Sequence, residues 1–199
     1  MEFVIRKAGQ RDLAAIMRVM DEVVATMGNP AWFAPLDEAF LAAQLHGEGF
    51  VLAAETAEGE MAAIFEAHFP DQDPDNLGLD AGLWQAELPK VAHMDLAAVR
   101  PLFRGHGLQT RLMAAGEAET VNLGYRHLLC TVHPDNRYSL SNLLGLGYGI
   151  TVTLPKYGGL PRHVLYKSNG PALAGLRYPG LDDFLLSLPG AQKDYKAAW

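Results

Sequence analysis

The stretch VAHMDLAAVRPLFRGHGLQTRLM, residues 91–113, decides how the chain is read. Its first nine residues are mostly apolar, as in a strand covered on both faces. Arg100-Pro101 ends that strand, because proline donates no ladder hydrogen bond. Glycines 105 and 107 make a tight turn, and the chain then reads as a helix from about 107 to 122, closed by Gly124. Glycine lets the backbone approach a ligand closely, and the first amides of a helix have no partner inside it. Those amides and the positive end of the helix dipole suit a phosphate or pyrophosphate, and Arg104 adds a charged contact. A plain strand–helix turn rimmed by an arginine fits the same spacing. Neither GxxxxGK(S/T) nor GxGxxG is present, which argues against a Walker-type NTPase or a dinucleotide fold.

Working outward, strands and helices alternate. On the N-terminal side EFVIR (2–6) reads as a strand. From Asp12, residues Leu13, Ile16, Met17, Met20, Val23, Val24 and Met27 form one helical face, with Gly28 as the expected stop. A shorter helix over 37–46 carries Phe40, Leu41 and Leu45. VLAAE (51–55) and MAAIFEAHF (61–69) flank a glycine-containing connection that suits a hairpin. Residues 70–89 are acidic and rich in turn formers, and read as a loop with one helical turn.

On the C-terminal side HLLCTV (127–132) is a second buried strand and NRYSLSNLLGLG (136–147) a short helix. YGITVTL (148–154) and HVLYK (163–167) form a closing pair joined by PKYGGLPR. Leu108, Leu112, Ala115, Ala118 and Val121 are the expected inner face of the 107–122 helix. The order predicts an α/β (α+β) fold, a mixed sheet with helices on both faces. Beyond Ser168 prolines and glycines bracket one short apolar helix, LDDFLLSL (181–188). Residues 1–168 are therefore taken as the domain and 169–199 as a C-terminal extension, which could cover the sheet edge or a neighbouring subunit, so a homodimer stays open.

Composition sets outer bounds. The 199 residues suffice for one sizeable core. Sixteen Lys+Arg against 23 Asp+Glu leave a net charge of −7, a poor partner for nucleic acid or anionic lipid. One cysteine, Cys130, excludes an internal disulfide and fits a reducing cytosol. No apolar run reaches the roughly 18–20 residues needed to span a membrane. The opening MEFVIRKAGQRD turns polar too soon for a signal-peptide core, so a cytoplasmic protein is expected.

Two motifs give the glycine turn a narrower meaning. Val99-Arg100-Pro101-Leu102-Phe103-Arg104-Gly105-His106-Gly107-Leu108-Gln109 resembles the first signature of the GNAT superfamily of acyl-CoA-dependent N-acyltransferases, departing from it at Gln109 where glycine or alanine is usual. Val132-His133-Pro134-Asp135-Asn136-Arg137-Tyr138-Ser139, followed by Leu146-Gly147-Tyr148, resembles the second. The resemblance covers roughly 1–168 and is best over 91–148. It implies a mostly antiparallel central sheet in which strands 91–99 and 127–132 splay apart, with the acyl chain in the gap. It also implies acetyl-CoA, or another short acyl-CoA, as co-substrate. Arg104, Gly105, His106, Gly107, Leu108 and Gln109 would hold the pyrophosphate through backbone amides. Ala97, Ala98 and Val99 would lie along the pantetheine and the thioester. Asn136 would contact the pantetheine arm, and it is equally suited to cap the helix after it. Where many members carry a tyrosine that protonates the departing thiolate, this chain has Leu143, a hydrocarbon. Tyr138 is the nearest substitute, with Ser139 and Asn142 as polar neighbours.

Transfer to an amine also needs a proton acceptor. On the strand 91–99, alternation puts Val91, His93 and Asp95 on one side and Ala92 and Met94 on the other. His93 titrates near neutrality, and Asp95 could orient it or bind an ammonium. Glu66 and His68 share a face of the preceding strand, making Glu66 a second base candidate. Trp32, Phe33 and Trp84 could wall a substrate pocket, and Lys156, Tyr157, Gly158 and Gly159 form the turn that in this family borders the acceptor. Asp71, Asp73 and Asp75 imitate a calcium loop, but Asn76 and Gly82 stand where glycine and glutamate are required. No HxxxH or HExxH spacing occurs and Cys130 lies inside the expected buried strand 127–132, so neither a metal nor a cysteine nucleophile is expected. The reading is an N-acetyltransferase acting on a small-molecule or protein amine. A CoA-binding sensor or assembly module without efficient chemistry is the alternative, and a nucleotide-binding regulator a third.

Overall fold

The computed structural model describes residues 1–169. The expected 181–188 helix lies outside them. Seven strands form one sheet: β1 (Phe3–Lys7), β2 (Gly49–Thr56), β3 (Met61–His68), β4 (Val91–Val99), β5 (His127–Val132), β6 (Gly149–Lys156) and β7 (Leu160–Ser168). Their spatial order is β1-β2-β3-β4-β5-β7-β6, and every pairing is antiparallel except β4 with β5. A parallel pair needs a crossover, and α4 (Leu108–Asn122) supplies it. The mixed, mostly antiparallel sheet matches the expected class.

Helices cover both faces. On one, Ile16, Val19, Met20 and Val23 of α1 (Leu13–Ala25) pack with Leu41 of α2 (Glu38–Ala43) on Val51, Ile64, Leu96 and Ala98. On the other, Leu108, Leu112 and Met113 of α4 pack with Leu143 of α5 (Arg137–Gly145) on Phe65, Ala92, Met94 and Leu128. The acidic segment 70–89 contains a short helix, α3 (Leu77–Asp80), beneath which Leu77 joins Val91, Leu129 and Val164, and the segment ends in a 3-10 helix, Gln85–Lys90.

Three expectations need correction. α1 ends at Ala25 with Thr26 as its cap, and Gly28 does not take a left-handed conformation. Val24 is 48% exposed, while Val19 turns inward. The inner face of α4 is Leu108, Leu112, Met113, Gly116 and Thr120, leaving Ala118 and Val121 outside. A Cβ on Gly116 would stand inside the van der Waals surface of the Phe65 ring, so close helix–sheet approach, not apolarity, sets this register. Finally, β6 and β7 run further than expected, so only Tyr157–Gly159 separates them, and Arg162 sits on a strand opposite Leu154.

Candidate active site

β4 and β5 are in register only from Val91–His93 against His127–Leu129. Beyond that point they diverge, β5 staying with β7 as far as Val132 and β4 with β3 as far as Val99. Between them opens a cavity of about 840 Å³, lined by Met94, Asp95, Ala97 and Val99 on one side and by Cys130, Thr131 and Val132 on the other. The expected splay is therefore present.

A second irregularity sits at the same place. His68 pairs with His93 but Glu66 pairs with Leu96, so β4 takes one residue more than β3 across this interval. Such a bulge re-aims side chains. Met94 and Ala97, which strict alternation would put on opposite faces, pack in the same core. Asp95 lines the cavity and brings its carboxylate within 4.8 Å of ligand atoms of Glu66 and His68.

Arg104, Gly105, Gly107, Leu108 and Gln109 also line the cavity. Gly105 (φ 82°) and Gly107 (φ 67°) both occupy the left-handed region, which favours glycine. No side chain caps α4, and a Cβ at either glycine would meet nothing within 4 Å. The uncapped first turn of a four-turn helix thus lines the cavity together with Arg104, which fits a pyrophosphate. His106 points elsewhere: its Nδ1 lies 3.2 Å from the carbonyl oxygens of Phe103 and Arg104, and its ring is edge-on to Phe3. Gln109 is anchored, donating to Ser139 Oγ at 2.9 Å and accepting from Asn142 Nδ2 at 2.7 Å. Asn136 lines the cavity while its Oδ1 accepts from the Ser139 amide at 3.2 Å, so it does cap α5. Ala97 and Val99 face the opening, whereas Ala98 is buried beneath α1.

The basic candidates form a chain of hydrogen bonds. The Leu77 amide donates to His93 Nε2 at 2.9 Å. That nitrogen is therefore unprotonated, and the proton of neutral His93 is on Nδ1, 3.1 Å from His68 Nε2. His68 then carries its own proton on Nδ1, 3.1 Å from Glu66 Oε1. Glu66 is wholly buried, its Oε2 has no partner, and burial lifts its pKa to about 7 against the pull of His68. Burial also raises Asp95. His93 is pushed down to about 3, first by burial and then by His68 and Lys156. His93 and Asp95 make no direct bond. Glu66, His68 and Asp95 are close enough to gather a cation, although both His68 nitrogens are already engaged.

Of the aromatic candidates, Trp32 and Phe33 line the cavity, while Trp84 is 59% exposed and apart from it. Tyr138 reaches the cavity but is 82% exposed, and Leu143 is buried in the wall. Tyr157 lines it too, its hydroxyl 3.1 Å from Thr131 Oγ1. Sequence reasoning passed over Arg162, which also lines the cavity. An arginine beside a proline-glycine turn reads as a connector until the strand is seen to include it.

With this geometry in place, the comparisons agree. A family model described as the acetyltransferase (GNAT) family matches residues 17–148. No protein of curated function matches the sequence. Among solved structures, an N-acetyltransferase from Staphylococcus aureus Mu50 superposes with a TM-score of 0.67 at 17% identity, covering 85% of this chain and 100% of its own. A GNAT superfamily phosphinothricin acetyltransferase from Sinorhizobium meliloti, solved with acetyl-CoA, gives 0.66 at 17% identity over 87% and 92%. The ribosomal-protein-S18-alanine N-acetyltransferase of Escherichia coli gives 0.63 at 17% over 89% and 100%. At these identities the likeness speaks for the fold. No helix among the described residues is long and apolar enough to cross a membrane.

Proposed function

The chain belongs to the acetyltransferase (GNAT) family and is an acyltransferase, and from that premise we propose that it moves an acetyl group from acetyl-CoA to a primary amine by direct attack in a ternary complex. The observation that carries this reading is the single cavity running between the parted strands, with the glycine turn and the Asp95 carboxylate both in its wall.

Arg104 and the amides from Gly105 to Gln109 would hold the pyrophosphate, and the backbone of Ala97 to Val99 would lie along the pantetheine and thioester. Acetyl-CoA supplies the activated acyl group and a thiolate that leaves readily. Asp95 is the proton acceptor for the attacking amine, because it alone of the four basic candidates lines the cavity. Its raised pKa brings it closer to the working range of a base. Glu66 and His68 stand behind it, joined by a hydrogen bond of 3.1 Å, so the charge of that pair acts on Asp95. His93 is a positioning residue, tying His68 to the segment that carries Leu77.

The test is thiol release from acetyl-CoA with a panel of primary amines, together with the affinity for acetyl-CoA. Saturable, amine-dependent release supports the reading. Tight acetyl-CoA binding with no turnover on any amine would replace it with a binding module.

A further inference from the structure

The cavity wall holds a carboxylate and a guanidinium that do not pair. Asp95 reaches it from β4 and Arg162 from β7. Arg162 is 2% exposed. Its Nη1 donates to the Pro161 carbonyl at 3.1 Å, and its guanidinium lies over the Tyr157 ring, 5.4 Å from the centroid. Among the described residues no carboxylate comes within ion-pair distance of it, although Arg6, Lys7, Lys90, Arg100, Lys156 and Lys167 each have one.

A buried cation without an anion is costly, and one carbonyl and one ring face compensate only in part. The planar fork of arginine matches a carboxylate or a similar oxyanion in a bidentate pair. The other guanidinium in the wall, Arg104, sits on the glycine turn where the cofactor pyrophosphate is placed. Arg162 stands instead on β7, the strand that follows Tyr157, whose hydroxyl lies 3.1 Å from Thr131 Oγ1 in the cavity wall.

We propose that the acceptor is a small zwitterionic amine, a free amino acid or close analogue, whose oxyanion is bound by Arg162 while its amine faces Asp95. The proposal rests on the acyl-transfer reading above and adds the substrate class. The Tyr157 ring clamps the guanidinium in place. Trp32 and Phe33, from the loop after α1, give the cavity apolar walls for the rest of the acceptor. In the transfer the bound ammonium first gives one proton to solvent, the neutral nitrogen then forms a bond to the acetyl carbon as the carbon–sulfur bond breaks, the second amine proton passes to Asp95, and CoA departs as its thiolate. Arg162 takes no part in those bonds; it orients the amine.

The experiment uses the full chain with acetyl-CoA and free α-, β- and γ-amino acids, each compared with its own carboxamide, which keeps the amine and removes the charge. Amino phosphinates form a further arm, which separates carboxylate from phosphinate recognition. The wild type is expected to favour at least one acid over its amide by about 30-fold or more in kcat/KM. Arg162→Gln is expected to collapse that ratio towards one, mainly through KM, and Arg162→Lys to restore part of it. The KM for acetyl-CoA and the melting temperature of each variant are read alongside. Amides turned over as well as acids, or an Arg162→Gln effect falling alike on both, would overturn the proposal while leaving acyl transfer intact. So would a variant whose loss lies in acetyl-CoA affinity. No thiol release from any amine, with acetyl-CoA still bound, would overturn both readings.

Discussion

The imidazoles of His68 and His93 meet Nε2 to Nδ1 at 3.1 Å, and the Leu77 amide decides which of them donates. Because an amide can only donate, each tautomer along the chain is fixed, and charging His93 would break its bond to Leu77. His93 is held down to about 3 against an ordinary value of 6.5, so its contribution to stability is complete above about 6.5 and is lost as pH falls. Glu66, raised to about 7 from 4.5, acts in the opposite sense. Its contribution is complete below about 4.5 and is lost as pH rises towards 7. The two oppose each other between about pH 4.5 and 6.5. Chemical denaturation at several pH values is expected to show a shallow dependence for the wild type there. Glu66→Gln should lose stability on acidification, and His93→Gln should gain it. Parallel curves for the two variants would contradict the assignment.

Asp95 is the carboxylate that reaches the cavity, so its removal tests the chemistry most directly. Asp95→Asn keeps the shape and is expected to lower kcat by about 100- to 10,000-fold, the range for a lost general base. Acetyl-CoA affinity, measured by calorimetry, should stay within a few-fold. With the pKa of Asp95 raised by desolvation in the cavity wall, kcat/KM of the wild type should rise with pH along an acid limb that the variant lacks.

Much of this was legible in the chain, for reasons that differ by residue. The order of elements and the glycine turn could be read because Pro101, Gly105 and Gly107 impose local conformations whatever surrounds them. The parted strands followed from the two motifs flanking α4. The bulge at Met94-Asp95 was not legible, since strict alternation puts His93 and Asp95 on one face and nothing in the sequence marks where the alternation breaks. Nor was the register of α4, where Gly116 faces inward because Phe65 leaves no room for a Cβ. Arg162 was hidden differently. Its meaning lies in having no acid within ion-pair distance among the described residues, and that is a property of space, not of sequence.

Gly107 offers a test of the cofactor end. Its φ of 67° strains any residue with a Cβ, although nothing lies within 4 Å to clash. Gly107→Ala is therefore expected to cost about 1–2 kcal/mol in the turn itself. The loss should be expressed as a KM for acetyl-CoA raised about tenfold, since that energy corresponds to a factor of roughly 10. The change in kcat should be smaller. Steady-state kinetics with varied acetyl-CoA would check this, and a kcat-only effect would count against the amides of α4 as the pyrophosphate site.

The last prediction concerns the thiolate. Leu143 is 3% exposed in the cavity wall and cannot give a proton, and Tyr138 stands 82% exposed at its margin. An exposed phenol keeps a full hydration shell and is not held at one distance, so it lacks the orientation from which a general acid draws its advantage. A thiol of ordinary acidity, near 8.5, also leaves as thiolate without much help near neutral pH. Tyr138→Phe should therefore lower kcat by less than about threefold, far below the roughly 100-fold expected when a working acid is lost. A fall of that larger size, accompanied by loss of the alkaline limb of the pH profile, would make Tyr138 the acid after all. Leu143→Tyr provides the converse measurement. Here the hydroxyl must be fitted into a wall shared with the α4 core, so lower melting temperature is expected before any gain in rate.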